Sequence, residues 1–363
     1  MRIVYTKHLE DGMKLAKPVY SANGEVLLNN DVELTSGYIK NLQNKNIPAV
    51  YIEDSLSEGI EIEDVIDPIV KVKAVDTVKN IVDSLDPKKN KNMFVSSESY
   101  FNVRKLICQI MDNLQKNEDS LFNMVETLST DLATYTHLVN VAILALLTGR
   151  ALGLPEKQIA DLGTGALMHD IGIVNIPHGI LNKAGKLTDE EYKMIKKHPV
   201  HGYDMVKSNQ SISAIAKMII LMHHERLDGS GYPLGITGEK IHKCIRIVSI
   251  CDAFEAMVSD RVYREKMPIY KALEMLTSMT TTQLDLEIYK KFVENIAIYT
   301  PGAGVILSTG EKGIVVENNR SFPTRPKIRI LFGPDGTFNP GAKIVNLMED
   351  LTLFIEDTCH IQY

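Results

Sequence analysis

Seven side chains able to bind a divalent metal interrupt otherwise apolar stretches of this sequence: His137, the pair His169-Asp170, His198, the pair His223-His224, and Asp252. Eight of the ten histidines fall between His137 and His242. Imidazoles and carboxylates without partners are costly to bury, and helix bundles build metal sites from such groups on facing helices. Imidazole combined with carboxylate suits iron, manganese, nickel or zinc, and the two oxygens of an aspartate let it bridge two ions. A two-metal cluster is the natural inference. Isolated histidines such as His178 and His242 read instead as ordinary core or surface residues.

The adjacent pairs add most to this reading. His169-Asp170 follows the apolar run DLGTGALM, and His223-His224 follows IAKMIILM, so each pair leaves consecutive positions at a helix end and can face one ion. After the second pair comes DGSGYP, whose glycines permit a sharp turn and a close approach of the backbone to a ligand.

The elements that must position these residues are helical. From 118 to 299 the apolar spacing is almost entirely that of helices, with Pro155 opening one and Thr188 with Glu191 forming a capping box for another. Residues 61–117 read as a helical linker region. Residues 1–60 read as a small α+β module, with a hairpin expected at Ala22-Asn23-Gly24. Beyond Pro301-Gly302 the runs GVILSTG, KGIVVENN, KIRILFG and KIVNLM predict a small β-rich module over 300–363. The fold class is therefore mainly α, a helical bundle with a small module on either flank.

Composition removes several function classes. The 363 residues carry a net charge of −6 without long single-sign runs, which leaves no basic footprint for duplex nucleic acid or anionic membrane. No run of 18 apolar residues suggests membrane insertion, and Met1-Arg2-Ile3 leads into polar sequence, so a cytoplasmic location is expected. Four cysteines without CxxC spacing argue against a disulfide framework or a thiolate zinc site.

The stretch ALMHDIGIVNIPHGILNKAGKLTDEEYKMIKKHPVHGYDMV, followed by HHERLDGSGYPLGITGEKI and RIVSICDAFEAMVSDRVYREK, resembles the HD-GYP domain, the bacterial cyclic di-GMP phosphodiesterase branch of the HD metallophosphohydrolases. The resemblance implies an HD-type bundle over 118–299. It implies metal ligation by His137, His169, Asp170, His198, His223, His224 and Asp252, with Asp170 bridging two ions and Asp170 and His169 at the catalytic centre. Gly231, Tyr232 and Pro233 fall where the family borders its ligand, and Arg261 and Arg264 fall where it contacts phosphates, a task that suits guanidinium donors. The implied reaction is hydrolysis of cyclic di-GMP to pGpG, and onward to GMP, by a hydroxide between two divalent ions. Iron, manganese or nickel is expected, with zinc or magnesium as alternatives.

Three positions depart from the family pattern. Ile173 stands where a lysine usually follows the His-Asp pair, a loss of about 3 kcal/mol of transition-state stabilisation, or roughly a hundredfold in rate. Ala133 replaces a glutamate one turn before His137, which argues for two ions rather than three. Glu255 replaces an aspartate three residues after Asp252 and is expected to reach the substrate side through water or an ion. The alternative to an enzyme is an HD-GYP module that binds a cyclic dinucleotide without turnover and signals through partners. Pairing of apolar helices within 65–115 would support a homodimer.

Overall fold

The computed structural model describes residues 1–361 except 22–23, 89–92, 119, 126, 182, 184, 260–266, 340 and 342. It forms two compact units. One comprises Met1–Val65, Asp119–Asp131 and Ile296–Tyr363, and the other Ile66–Glu118 and Leu132–Asn295.

In the first unit, strands β1 (Arg2–Tyr5), β2 (Lys14–Leu15) and β5 (Ala49–Glu53) make an antiparallel sheet in the order β1-β5-β2. Strands β3 (Val19–Tyr20) and β4 (Val26–Leu28) pair as the expected hairpin. Two residues of its turn, Ala22 and Asn23, lie outside the described residues. Helix α1 (Ser36–Asn44) starts at Thr35, whose hydroxyl accepts from the Tyr38 amide, and it buries Ile39 and Leu42 against Val4, Val50 and Ile52.

The end of the chain forms a five-stranded antiparallel sheet in the order β10-β6-β7-β8-β9. Its strands are β6 (Gly304–Leu307), β7 (Lys312–Glu317), β8 (Lys327–Phe332), β9 (Ile344–Asn346) and β10 (Ile355–Cys359). This sheet and the residues after β5 share a core of Leu56, Ile60, Ile314, Leu331 and Ile361. Arg2 adds a clamp, donating to the Asp54 carboxylate at 2.6 Å and to the Ile361 carbonyl at 2.8 Å.

The second unit is helical. Its members are α2 (Pro68–Ser84), α3 (Ser97–Lys116), α4 (Ala133–Ala151), α5 (Glu156–Leu167), α6 (His178–Leu181), α7 (Asp189–Ile195), α8 (His198–Val206), α9 (Ala214–Met222), α10 (Lys243–Val258), α11 (Ile269–Met279) and α12 (Leu286–Val293). Side-chain caps set several starts: Ser96 for α3, the Thr188–Glu191 capping box for α7, Ser213 for α9 and Asp285 for α12. His242 has a structural task of this kind, accepting from the Cys244 amide at the start of α10.

Helix α4 is apolar all round because it is enclosed all round: every residue from Thr136 to Gly149 is buried, with α2, α5, α10 and α12 against it. The run Thr130–Ala151 is long and apolar enough to cross a membrane, and 83% of its most apolar window is buried inside the protein. The stretch 61–117 supplies α2 and α3. Their apolar faces, Val72, Val75 and Val78 on one and Val103, Ile107 and Ile110 on the other, are buried by packing within this unit.

Candidate metal centre

Five pieces of the helical unit deliver the polar residues. His137 projects from the enclosed middle of α4, and Asp252 from α10, which packs on it. His169 and Asp170 follow the end of α5 and lead into a 3-10 helix, Ile171–Asn175. His198 is the first residue of α8, and His223 caps the end of α9 with His224 next. Gly172 brings two of these pieces together. A Cβ there would lie 2.0 Å from the His198 carbonyl oxygen and 2.4 Å from the Gly202 amide, so only glycine lets the 3-10 helix seat on α8.

The seven side chains converge. Asp170 Oδ1 is 3.0 Å from His198 Nε2 and 3.4 Å from His223 Nε2, while its Oδ2 is 3.6 Å from His169 Nε2 and 3.9 Å from His137 Nε2. Asp252 Oδ1 is 3.3 Å from His137 Nε2 and 3.8 Å from His169 Nε2, and its Oδ2 is 3.6 Å from His224 Nδ1. His137, His169, His198, His223 and Asp252 are buried, while Asp170 and His224 retain partial exposure.

Backbone carbonyls fix which nitrogens face inward. His169 Nδ1 donates to Ala166 at 2.7 Å, His198 Nδ1 to Ile195 at 2.7 Å and His223 Nδ1 to Ile220 at 3.1 Å. Each ring therefore turns an Nε2 lone pair toward the aspartates. The Nε2 atoms of His198 and His223 face each other at 3.3 Å, and buried His169 Nε2 has no hydrogen-bond partner among the described residues. Lone pairs gathered around two carboxylates form an electron-rich pocket suited to a cation. Three groups have ligand atoms all within 4.8 Å of one another: Asp170 with His198, His223 and His224; His137 with His169 and Asp170; and His169 with His223 and Asp252. This buried His/Asp set fits an HD-type metal site.

Protonation favours the same use. Burial pushes the His169 imidazole down to about 4, and burial with the neighbouring His223 holds His224 well below its ordinary value. Burial alone would raise Asp170 and Asp252. The surrounding imidazoles outweigh it, chiefly His169 and His198 for the first and His137 and His224 for the second, and hold both carboxyls well below the usual range. Burial would also lower His198, but Asp170 beside it raises the imidazole instead. Near neutral pH the set thus offers ionised carboxylates at Asp170 and Asp252 and neutral rings at His169 and His224, the forms that bind metal.

The other residues read from sequence take varied positions. Tyr232 stacks on His224, with ring centres 4.6 Å apart, and burial raises its hydroxyl, which therefore stays a donor. Pro233 follows it through a cis peptide bond. Gly231 meets a requirement of the turn itself: a Cβ would lie 2.4 Å from the Arg226 amide and 2.5 Å from the His224 carbonyl, so the turn folds against its own backbone. Arg261 and Arg264 lie outside the described residues.

Glu255 does not face the substrate side. It is buried behind His137, whose Nδ1 donates to one of its oxygens, and the other oxygen accepts from Asn140 at 3.1 Å and Ser259 at 2.6 Å. Burial would raise this carboxyl, but the His137 ring outweighs it and holds the group down at about 2. The longer side chain reaches past the cluster to the far nitrogen of the ring, orienting it as carboxylates orient metal-binding histidines. Glu255→Gln should weaken divalent-ion affinity about 10- to 100-fold, measured by competition with a chelator. Unchanged affinity would remove this orienting role.

One residue of the glycine turn had no role in the sequence reading. Glu225 is buried, and its carboxylate accepts from the amides of Leu234, Gly235 and Ile236 at 2.7, 3.2 and 3.2 Å. It holds the turn that presents Tyr232. A glutamate directly after two histidines that end an apolar helix was the available signal, since a buried acid must find donors.

Comparison with known proteins agrees with this site. Residues 109–288 match the HD domain family, and residues 304–363 match the KOW domain associated with HD domains. The chain is 33% identical over 242 residues to a Pseudomonas aeruginosa protein named cyclic di-GMP phosphodiesterase PA4108, covering 67% of this chain and 58% of that one. It is 34% identical over 183 residues to a Thermotoga maritima protein named cyclic di-GMP phosphodiesterase, covering 49% and 50%. Over 156 residues it is 34% identical to a Vibrio cholerae protein named 3'3'-cGAMP-specific phosphodiesterase 3, covering 43% and 34%. The chain spans about half the length of the curated relatives it matches. The fold is shared with Bd1817, an HDG"Y"P protein from Bdellovibrio bacteriovorus, at a TM-score of 0.51 and 17% identity over 80% of this chain and 97% of that one. Residues 109–288, the helical part of this chain, are an HD domain.

Proposed function

We propose that this protein is a metal-dependent phosphodiesterase that opens a cyclic dinucleotide, with cyclic di-GMP cut to pGpG. One observation carries the reading: the two oxygens of Asp170 face separate histidine pairs, His198 and His223 on one side and His137 and His169 on the other. A carboxylate so flanked suits two ions, with His224 and Asp252 completing the set. Five imidazoles favour iron, manganese, nickel or zinc over magnesium. Bound there, two divalent ions would acidify a water toward neutrality and draw charge from phosphate oxygens. The chain's own contribution is to hold seven ligands in the right tautomer and charge, and to exclude bulk water by burial. Tyr232 adds a protonated hydroxyl at the rim.

The relatives named for cyclic di-GMP support that substrate, and the one named for 3'3'-cGAMP makes a mixed dinucleotide the nearest alternative. Ile173, half-buried in the 3-10 helix after Asp170, supports slow turnover or a binding module. The test incubates protein loaded with iron, manganese or nickel with each dinucleotide and follows pGpG and GMP by chromatography. Product from cyclic di-GMP is expected, and Ile173→Lys should raise its rate up to roughly a hundredfold. Full metal occupancy with tight dinucleotide binding and no product would favour the binding module.

A further inference from the structure

Lys196 closes α7, two residues ahead of His198. Its ammonium lies 4.7 Å from the centre of the Tyr192 ring and 5.0 Å from that of Tyr232. Tyr232 in turn stacks on His224, so a single ring separates this cation from the cluster. Of the lysines around it, Lys183 pairs with Glu191 at 2.7 Å and Lys207 with Asp204 at 2.7 Å, while Lys193 and Lys197, without an ion pair among the described residues, are exposed to solvent. The Lys196 ammonium has no acidic partner among the described residues, although it is half-buried and held between two aromatic faces. Cation–π attraction at such a site is modest. A compact cation positioned at a pocket rim without a carboxylate is arranged for an incoming anion.

We propose that Lys196 is a substrate-contacting residue that receives a second phosphate, the one remote from the His/Asp cluster, in a ligand that carries two. The intervening Tyr232 ring keeps the ammonium away from a phosphate held at the cluster, while a second phosphate across the dinucleotide ring comes within its reach. The assignment rests on the reading that a phosphodiester enters the cluster. It also gives the pocket a cation although position 173 is isoleucine, and it selects ligands with two phosphates over those with one.

The test compares metal-loaded wild type, Lys196→Met and Lys196→Arg. Calorimetry with cyclic di-GMP should show roughly tenfold weaker binding for Lys196→Met and recovery of most of that loss by Lys196→Arg, the scale of a lost charge-assisted hydrogen bond. Hydrolysis of bis(p-nitrophenyl) phosphate, which has one phosphate, should suffer a loss several times smaller. Unchanged binding of cyclic di-GMP overturns the assignment. So do equal losses on both ligands, which mark a packing role through Tyr232. If the wild type cleaves the one-phosphate ester but binds no cyclic di-GMP, the substrate reading fails on its own. Linear pGpG, which also carries two phosphates, then decides: Lys196→Met must weaken its competition with the ester about tenfold, or the assignment falls too.

Discussion

Asp170→Asn should yield a folded protein that retains fewer divalent ions and hydrolyses phosphodiesters about a thousandfold more slowly or worse. The amide keeps the shape of the side chain but removes the charge and one of the two acceptor oxygens. Four imidazoles point at those oxygens from 3.0 to 3.9 Å, so no other residue can take over both sides. Substitution of a residue that merely orients a ligand costs about 10- to 100-fold; loss of the shared ligand should cost more. The measurements are metal content per chain after dialysis and turnover of bis(p-nitrophenyl) phosphate. Two retained ions with a rate within tenfold of wild type would exclude a bridging role for Asp170.

The second large effect is structural. Gly172→Ala adds one methyl group, yet that carbon would fall 2.0 Å from the His198 carbonyl oxygen and 2.4 Å from the Gly202 amide. Neither neighbour is a side-chain tip that can swing aside; both belong to the backbone of α8. The 3-10 helix must therefore separate from α8, which carries His198 away from Asp170. Overpacking of this kind should destabilise the metal-free protein by about 3 kcal/mol or more and reduce ion occupancy together with it. Urea denaturation and metal analysis on the same preparation check both. Normal stability with normal occupancy would show that the contact relaxes in solution.

The cluster was legible because burying charge and imidazole in apolar helices is expensive. His137 at the head of HLVNVAILALL and Asp252 within RIVSICDAF need partners, and the structure supplies each with the other. What sequence could not show was the direction of a side chain. Glu255 lies one turn from Asp252, which fits either a residue facing the pocket or one behind His137. Only the path of α4 past α10 decides between them. Glu225 was hidden for a similar reason, since its three donors are backbone amides that no residue type announces.

The helical bundle and both flanking modules were likewise readable from periodicity and turn residues. Strand β10, Ile355–Cys359, was not, because its sequence IEDTC is polar and mostly exposed, without the alternation that marks a half-buried strand. It exists because β6 offers it an edge. The shared core of Leu56, Ile60, Ile314, Leu331 and Ile361 joins residues some 300 positions apart, a separation at which local pattern carries no information.

That core has a consequence for how the chain is made. Leu56 and Ile60 emerge from the ribosome early, but Ile314, Leu331 and Ile361 complete their packing only after the whole helical stretch has been synthesised. The α-helical bundle, built largely from neighbouring segments, can form while translation continues, whereas Leu56 and Ile60, just after the early sheet, must wait with their apolar side chains uncovered. Translation that stalls between Asn295 and Ile314 would leave an assembled metal-binding bundle attached to an incomplete partner, a nascent species exposed to chaperones and proteases.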